Sequence, residues 1–147
     1  MEIGQQEALS EVDPQYVEML NFWRDPGAVR RWQAREMHKV WRPPTDVYET
    51  GDAIVVKVEI AGMKDEELEV SLDGRLLSIR GMRRDSGAKL RYQQMEIQYG
   101  PFETDVEVPR TLDYDQLEAS YENGFLVVRL GKAQPHRITV QETGNPD

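Results

Sequence analysis

The sequence predicts an all-β, immunoglobulin-like antiparallel β-sandwich with a helical arm before it and a flexible tail after it. Three observations carry that reading. Between residues 45 and 130 apolar and polar side chains alternate in several short runs, the period of half-buried strands. Asp73-Gly74 and Asn123-Gly124 stand between such runs, where a tight hairpin needs residues that tolerate positive φ. Before Arg42-Pro43-Pro44 the pattern is helical instead, and the double proline marks the change. The expected divisions are an arm (1–42), a sandwich (43–130) and a tail (131–147).

The 147 residues suffice for one compact domain with flanking segments and are short for two. No cysteine is present, which excludes disulfide and thiolate chemistry and suits a reducing compartment. The opening MEIGQQEALSEVDPQ has neither a basic n-region nor an apolar h-region, and no run approaches a membrane span, so a soluble, cytoplasmic protein is expected. A formal charge of −9 argues against nucleic acid or an anionic membrane as partner, because phosphate binding draws on a basic surface.

In the arm, Asp13-Pro14 is a helix start, with Asp as N-cap and Pro at the first helical position. Tyr16, Leu20 and Trp23 follow at i, i+4 and i+7 with Val17 beside them, and Asp25-Pro26-Gly27 stops the helix. A second helical stretch is expected from Ala28 to about Trp41, ended by Arg42-Pro43-Pro44. Trp23, Trp32 and Trp41 stand nine residues apart. At ~100° per residue, neighbouring tryptophans then point to opposite faces of a continuous helix. The arm cannot bury all of them against one surface; it breaks and wraps, or leaves apolar area for a partner.

In the sandwich, Thr45 to Thr50 leads to a Gly51-Asp52 turn, after which Ile54, Val56, Val58 and Ile60 line one face and Val55, Lys57 and Glu59 the other. Ala61-Gly62-Met63 breaks that strand. Leu68, Val70 and Leu72 alternate with Glu69 and Ser71, and Leu76 to Arg80 returns after the Asp73-Gly74 hairpin. Phe102, Thr104, Val106 and Val108 alternate with Glu103, Asp105 and Glu107. Leu117, Ala119 and Tyr121, then Leu126, Val128 and Leu130, line one side of the last two strands, joined through Asn123-Gly124. Several short strands with such turns indicate a sandwich.

Ala119, Gly124 and Leu126, at the spacing A-x-x-x-x-G-x-L, resemble the signature of the α-crystallin domain of small heat-shock proteins. Pro44-x-Asp46-Val47-Tyr48-Glu49, Glu59-Ile60-Ala61-Gly62, Val70-Ser71-Leu72-Asp73-Gly74 with Leu77-Ser78-Ile79-Arg80-Gly81, and Tyr99-Gly100-x-Phe102 ending at Pro109 are similar to that domain in order and spacing. The resemblance covers about residues 43–140 and is to the bacterial type. It implies an ATP-independent holdase that binds unfolding client proteins, assembled from dimers into higher homo-oligomers. ATP-dependent refolding chaperones would act downstream, and no cofactor is implied. The client surface is expected on the arm, at Leu20, Phe22, Trp23, Trp32 and Trp41.

The polar stretch from Met82 to Tyr99 is too long for an ordinary hairpin loop, and Leu90 to Gln94 at its centre could form a short strand. In bacterial and plant relatives the corresponding loop is exchanged with a second subunit, which implies a dimer loop of Leu90, Arg91, Tyr92, Gln93, Gln94 and Glu96. Charge points the same way. Animal members pair the strand matching 102–108 with its own copy, and here that would crowd up to six carboxylates together. Arg83, Arg84, Lys89 and Arg91 instead make the loop basic, and it is expected to meet an acidic surface on the neighbouring subunit. The family often carries arginines where this strand has Thr104, Asp105 and Glu107, so those contacts do not transfer.

After a flexible joint, Ile138-Thr139-Val140 matches the I-x-I/V motif by which family tails dock on a neighbour. Residues two apart in an extended chain face the same way, so Ile138 and Val140 can enter adjacent pockets. The resemblance places that groove between Leu68, Val70 and Leu72 on one strand and Ala119 and Tyr121 on another. Burying both side chains is worth roughly 3–6 kcal/mol before ordering costs, so each contact is reversible and avidity must hold the assembly.

No enzyme is legible. His38 and His136 have no H-x-x-x-H or Cys partner for zinc, Gly131-Lys132-Ala133 lacks the rest of a phosphate loop, and no G-x-S-x-G elbow occurs. The alternative is an adaptor of the related CS-domain co-chaperone kind, which binds a folded partner and typically lacks the exchanged strand and the docking tail.

Overall fold

The computed structural model describes residues 14–36, 40–109, 112–133 and 138–144. Helices α1 (Pro14–Arg24) and α2 (Pro26–Glu36) precede strands β1 (Thr45–Glu49), β2 (Ala53–Glu59), β3 (Leu68–Asp73), β4 (Leu76–Arg83), β5 (Gly100–Glu107), β6 (Leu112–Glu122) and β7 (Phe125–Lys132). The strands form a four-stranded sheet, β1-β2-β7-β6, over a three-stranded sheet, β3-β4-β5, with every neighbour antiparallel.

Alternation decides what lies between the sheets. Ile54, Val56 and Val58 of β2 and Leu126, Val128 and Leu130 of β7 meet Leu77 and Ile79 of β4 and Phe102 and Val106 of β5 in one core. Buried Thr104 interrupts this apolar stripe, but its hydroxyl is satisfied: Arg42 Nε donates to it at 3.1 Å, and Thr45 Oγ1 lies 3.0 Å away. Because Thr45 Oγ1 donates its own proton to Pro43 O at 2.9 Å, Thr104 is the donor to Thr45. A guanidinium thus reaches Thr104 from the neighbouring segment.

The wider sheet overhangs the narrower one. Val47 of β1 and Ala119 of β6 are in register with the buried Val56 and Val128 and so face the same side, yet both are exposed. Thr45 and Thr104 tie β1 to β5, so the other open side lies between β3 and β6.

The Asn-Gly hairpin forms as its residues require, with Asn123 at φ 54° and Gly124 at φ 81°. Four expectations shift. The second hairpin turns on Gly74-Arg75, since Asp73 pairs Leu76 and Gly74, at φ 59°, takes the first central position. Asp25-Pro26-Gly27 not only ends α1 but starts α2, two residues before Ala28. Asp25 Oδ1 accepts from the Gly27 amide at 2.9 Å and its carbonyl from Ala28 at 3.0 Å. The second helix does not reach Trp41, which lies in an isolated parallel bridge to Phe102. Residues 90–94 form no strand within the single chain.

Candidate functional site

At the open side between β3 and β6, Leu68, Val70 and Leu72 face Leu117 and Tyr121, all half-buried and packed on the core. Tyr121 is fixed at one end, its hydroxyl donating to Ile60 O at 2.8 Å and accepting from the Met63 amide at 3.3 Å. Ala119, the smallest side chain of the β6 stripe, leaves a notch between Leu117 and Tyr121. Behind it Gly124 is held against the turn after β2, where a Cβ would stand 3.0 Å from Ala61 Cβ, while Leu126 lies in the core. Of the expected groove residues, Leu68, Val70, Leu72 and Tyr121 are thus partly buried along this side of the core, and Ala119 is exposed beside them. Leu117 joins them, and its place two residues before Ala119 was the available signal.

Ile138 and Val140 do not occupy that cleft in the single chain. They are 86% and 89% exposed on an irregular segment.

The arm helices lie against the outer face of the three-stranded sheet. Trp23 Nε1 donates to Gly81 O at 3.3 Å and the Arg80 guanidinium lies 5.5 Å from the Trp23 ring. Trp32 lies so near Gly100 that a Cβ there would be 3.3 Å from its ring. Phe22 meets both tryptophans edge-on, with centroids at 5.3 and 6.3 Å. The fully buried anchor of the helix is Met19, missed beside the expected Tyr16, Leu20 and Trp23 although it falls on the same stripe; Leu20 is half-buried. Phe22, Ala28 and Trp32 wall an open groove of about 720 Å³ with Met82 and Tyr99. In α2, the Gly27 amide, with Arg31 assisting, holds the Asp25 carboxyl below its usual range.

Trp41 is not part of this arm surface. Only 9% exposed, it packs on Phe102 with ring centroids 5.5 Å apart, and its Nε1 donates to Gly100 O at 3.2 Å. Its amide donates to Pro101 O at 3.2 Å and its carbonyl accepts from Glu103 at 3.1 Å. The double proline explains the departure from a helix, because residues before proline are driven to extended backbone. It also means that the chain itself occupies part of the outer edge of β5.

Loop residues Leu90, Arg91, Tyr92, Gln93, Gln94 and Glu96 are all exposed, Leu90 fully so at 99%, with Met95 and Ile97 at 60% beside them. Gln94 Nε2 donates to Glu96 at 2.8 Å. Much of the loop's positive charge is spent internally. Arg84 pairs with Glu18 of α1 at 3.2 Å, and Lys89 with Asp85 at 2.8 Å. The carboxylates of β5 are likewise eased, since Glu103 pairs with Arg80 and Glu107 with Arg75. The expected contrast between a basic loop and an acidic strand is therefore weaker than formal charges suggest.

Among the described residues no group of His, Cys, Asp or Glu is placed to hold a metal, and no helix is long and apolar enough to cross a membrane. His38 and His136 lie outside the described residues.

Comparison with known proteins agrees with this geometry. Heat shock protein 16 of Schizosaccharomyces pombe is 32% identical over 103 residues, covering 67% of this chain and 72% of that protein. Spore protein SP21 of Stigmatella aurantiaca is 30% identical over 142 residues, covering 91% and 84%. For the 23.2 kDa heat shock protein of Oryza sativa, 38% identical over 100 residues, the match spans only 46% of that protein and 63% of this one. Among solved structures, a small heat-shock protein from Xylella fastidiosa superposes with a TM-score of 0.63 at 26% identity, over 73% of this chain and all of that one. The model of the Hsp20/alpha crystallin family matches residues 46–143, and the chain belongs to that family.

Proposed function

We propose that this protein is an ATP-independent holdase: it covers apolar surface on unfolding proteins with its arm and stores that arm in a homo-oligomer built from strand-exchanged dimers. The observation that supports the reading is an exposed apolar tail motif alongside an incompletely covered apolar side of the sandwich. Ile138 and Val140 stand 86% and 89% exposed, while Leu68, Val70, Leu72, Leu117 and Tyr121 leave an apolar opening of matching character. Satisfying both requires a second copy or a rearranged tail, and mutual docking between copies builds an assembly. Loop 84–98, with Leu90, Tyr92, Met95 and Ile97 turned to solvent, supplies the dimer contact on the same logic.

The proposed division is the arm at 1–42, with Trp41 structurally part of the sandwich, the sandwich at 43–130 and the docking tail at 131–147. Within the arm, Leu20, Phe22, Trp23 and Trp32 are the client-facing residues, since they hold apolar area only half-covered against the sheet. Deleting residues 1–40, which leaves Trp41 in place, is expected to abolish suppression of heat-induced aggregation of a model client. Undiminished protection would move the client site onto the sandwich.

A further inference from the structure

We propose that Arg83 is a positioning residue that clips the root of loop 84–98 to Trp41, so that the loop and the Trp41 bridge on β5 loosen together. Arg83 ends β4, and its guanidinium reaches the far end of the loop: Nε and Nη2 donate to Gln98 O at 2.9 and 2.6 Å, and Nη1 donates to Ala61 O at 3.2 Å. One planar group therefore closes the loop at its base and pins it to the turn after β2. The same guanidinium lies 4.6 Å from the centroid of the Trp41 ring and 5.6 Å from that of Tyr99. Trp41 is in turn bonded to β5 at Pro101 and Glu103.

Three carbonyl bonds and two ring faces use the whole fork, which an ammonium cannot reproduce. Two consequences follow from sharing one cation. Drawing Trp41 away removes a ring that fixes the guanidinium, and freeing the guanidinium releases both the loop's closure and the Trp41 face. Loop 84–98 carries the exposed Leu90, Met95 and Ile97, so the clip sets how firmly those side chains are presented. Its use in assembly rests on the dimer reading above; its existence does not.

Limited proteolysis of the loop together with amide hydrogen exchange, both on the full chain, tests the clip directly. Arg83→Lys keeps the charge and is expected to speed tryptic cleavage within the exposed loop, and exchange at the bonded amides of Trp41 and Glu103, about ten-fold each, with β3 and β7 unchanged. Acceleration in the loop alone, acceleration spread evenly over both sheets, or no acceleration would each overturn the proposal. Trp41→Leu should loosen the loop as well, and combining it with Arg83→Lys should add nothing there; additive effects would show two independent contacts. Light scattering on the same samples separates the two readings. A monomer whose exchange follows the expected pattern keeps the clip and discards the dimer.

Discussion

The sharpest test of the assembly is the double change Ile138→Ala with Val140→Ala. Both side chains are almost wholly exposed in the single chain, so truncating them costs the isolated fold nothing and any effect must come from a partner surface. The pair loses about five methylene equivalents, which at ~0.8 kcal/mol each is ~4 kcal/mol if both are buried in the cleft between β3 and β6. That corresponds to roughly a thousand-fold in the affinity of one tail for one cleft. Every copy carries the lesion, so avidity magnifies the loss. Size-exclusion chromatography with light scattering should show the assembly shrinking towards dimers, and Thr139→Ala, whose side chain points the other way along an extended segment, should leave the size unchanged. An unaltered assembly in the double variant would refute the docking of this motif.

Trp41→Ala should lower the stability of the sandwich by about 3–5 kcal/mol in urea unfolding, whereas Trp23→Ala should leave the sheets nearly intact and weaken aggregation suppression; equal effects would contradict their different placement. Gly124→Ala should cost ~1–2 kcal/mol, because φ is +81° and the new Cβ would press on Ala61, and a thermal melt reads it. Asp25 gives a pH signature. Its carboxyl is held below the ordinary value of 3.8, so its contribution to α2 is complete above that value and is lost as the pH falls through the lowered one. Asp25→Asn still caps but does not titrate, so it should flatten the fall of helical circular dichroism in acid; an identical acid limb in both proteins would sink the assignment.

Much of the fold could be read because backbone chemistry left few options. Asn123-Gly124 requires positive φ, and alternation from Ile54 to Ile60 admits one inward face, so hairpin and sheet follow. The partly buried positions Leu68, Val70, Leu72, Leu117 and Tyr121 follow from the same period of two. Helical spacing points to a second helix reaching Trp41, but Pro43 and Pro44 disfavour helix just before them, and Trp41 bridges Phe102 instead. Asp73-Gly74 suggests a turn with Gly at its second central position, whereas the chain uses Gly74 at the first. Residues 90–94 pair with no strand among the described residues, and a strand forms only against a partner edge. Arg83 gave no periodic signal, because its partners are carbonyls and rings from three separate segments.

Sheets that recruit other chains along their margins face the hazard of growing without limit. On this molecule one margin is partly stoppered from within: Trp41 occupies the hydrogen-bonding groups of Pro101 and Glu103, and the strand beyond turns Asp105 and Glu107 outward. A newcomer would have to evict a core tryptophan and then line up beside carboxylates. The margins left open to an incoming strand are those of β1, β3 and β6.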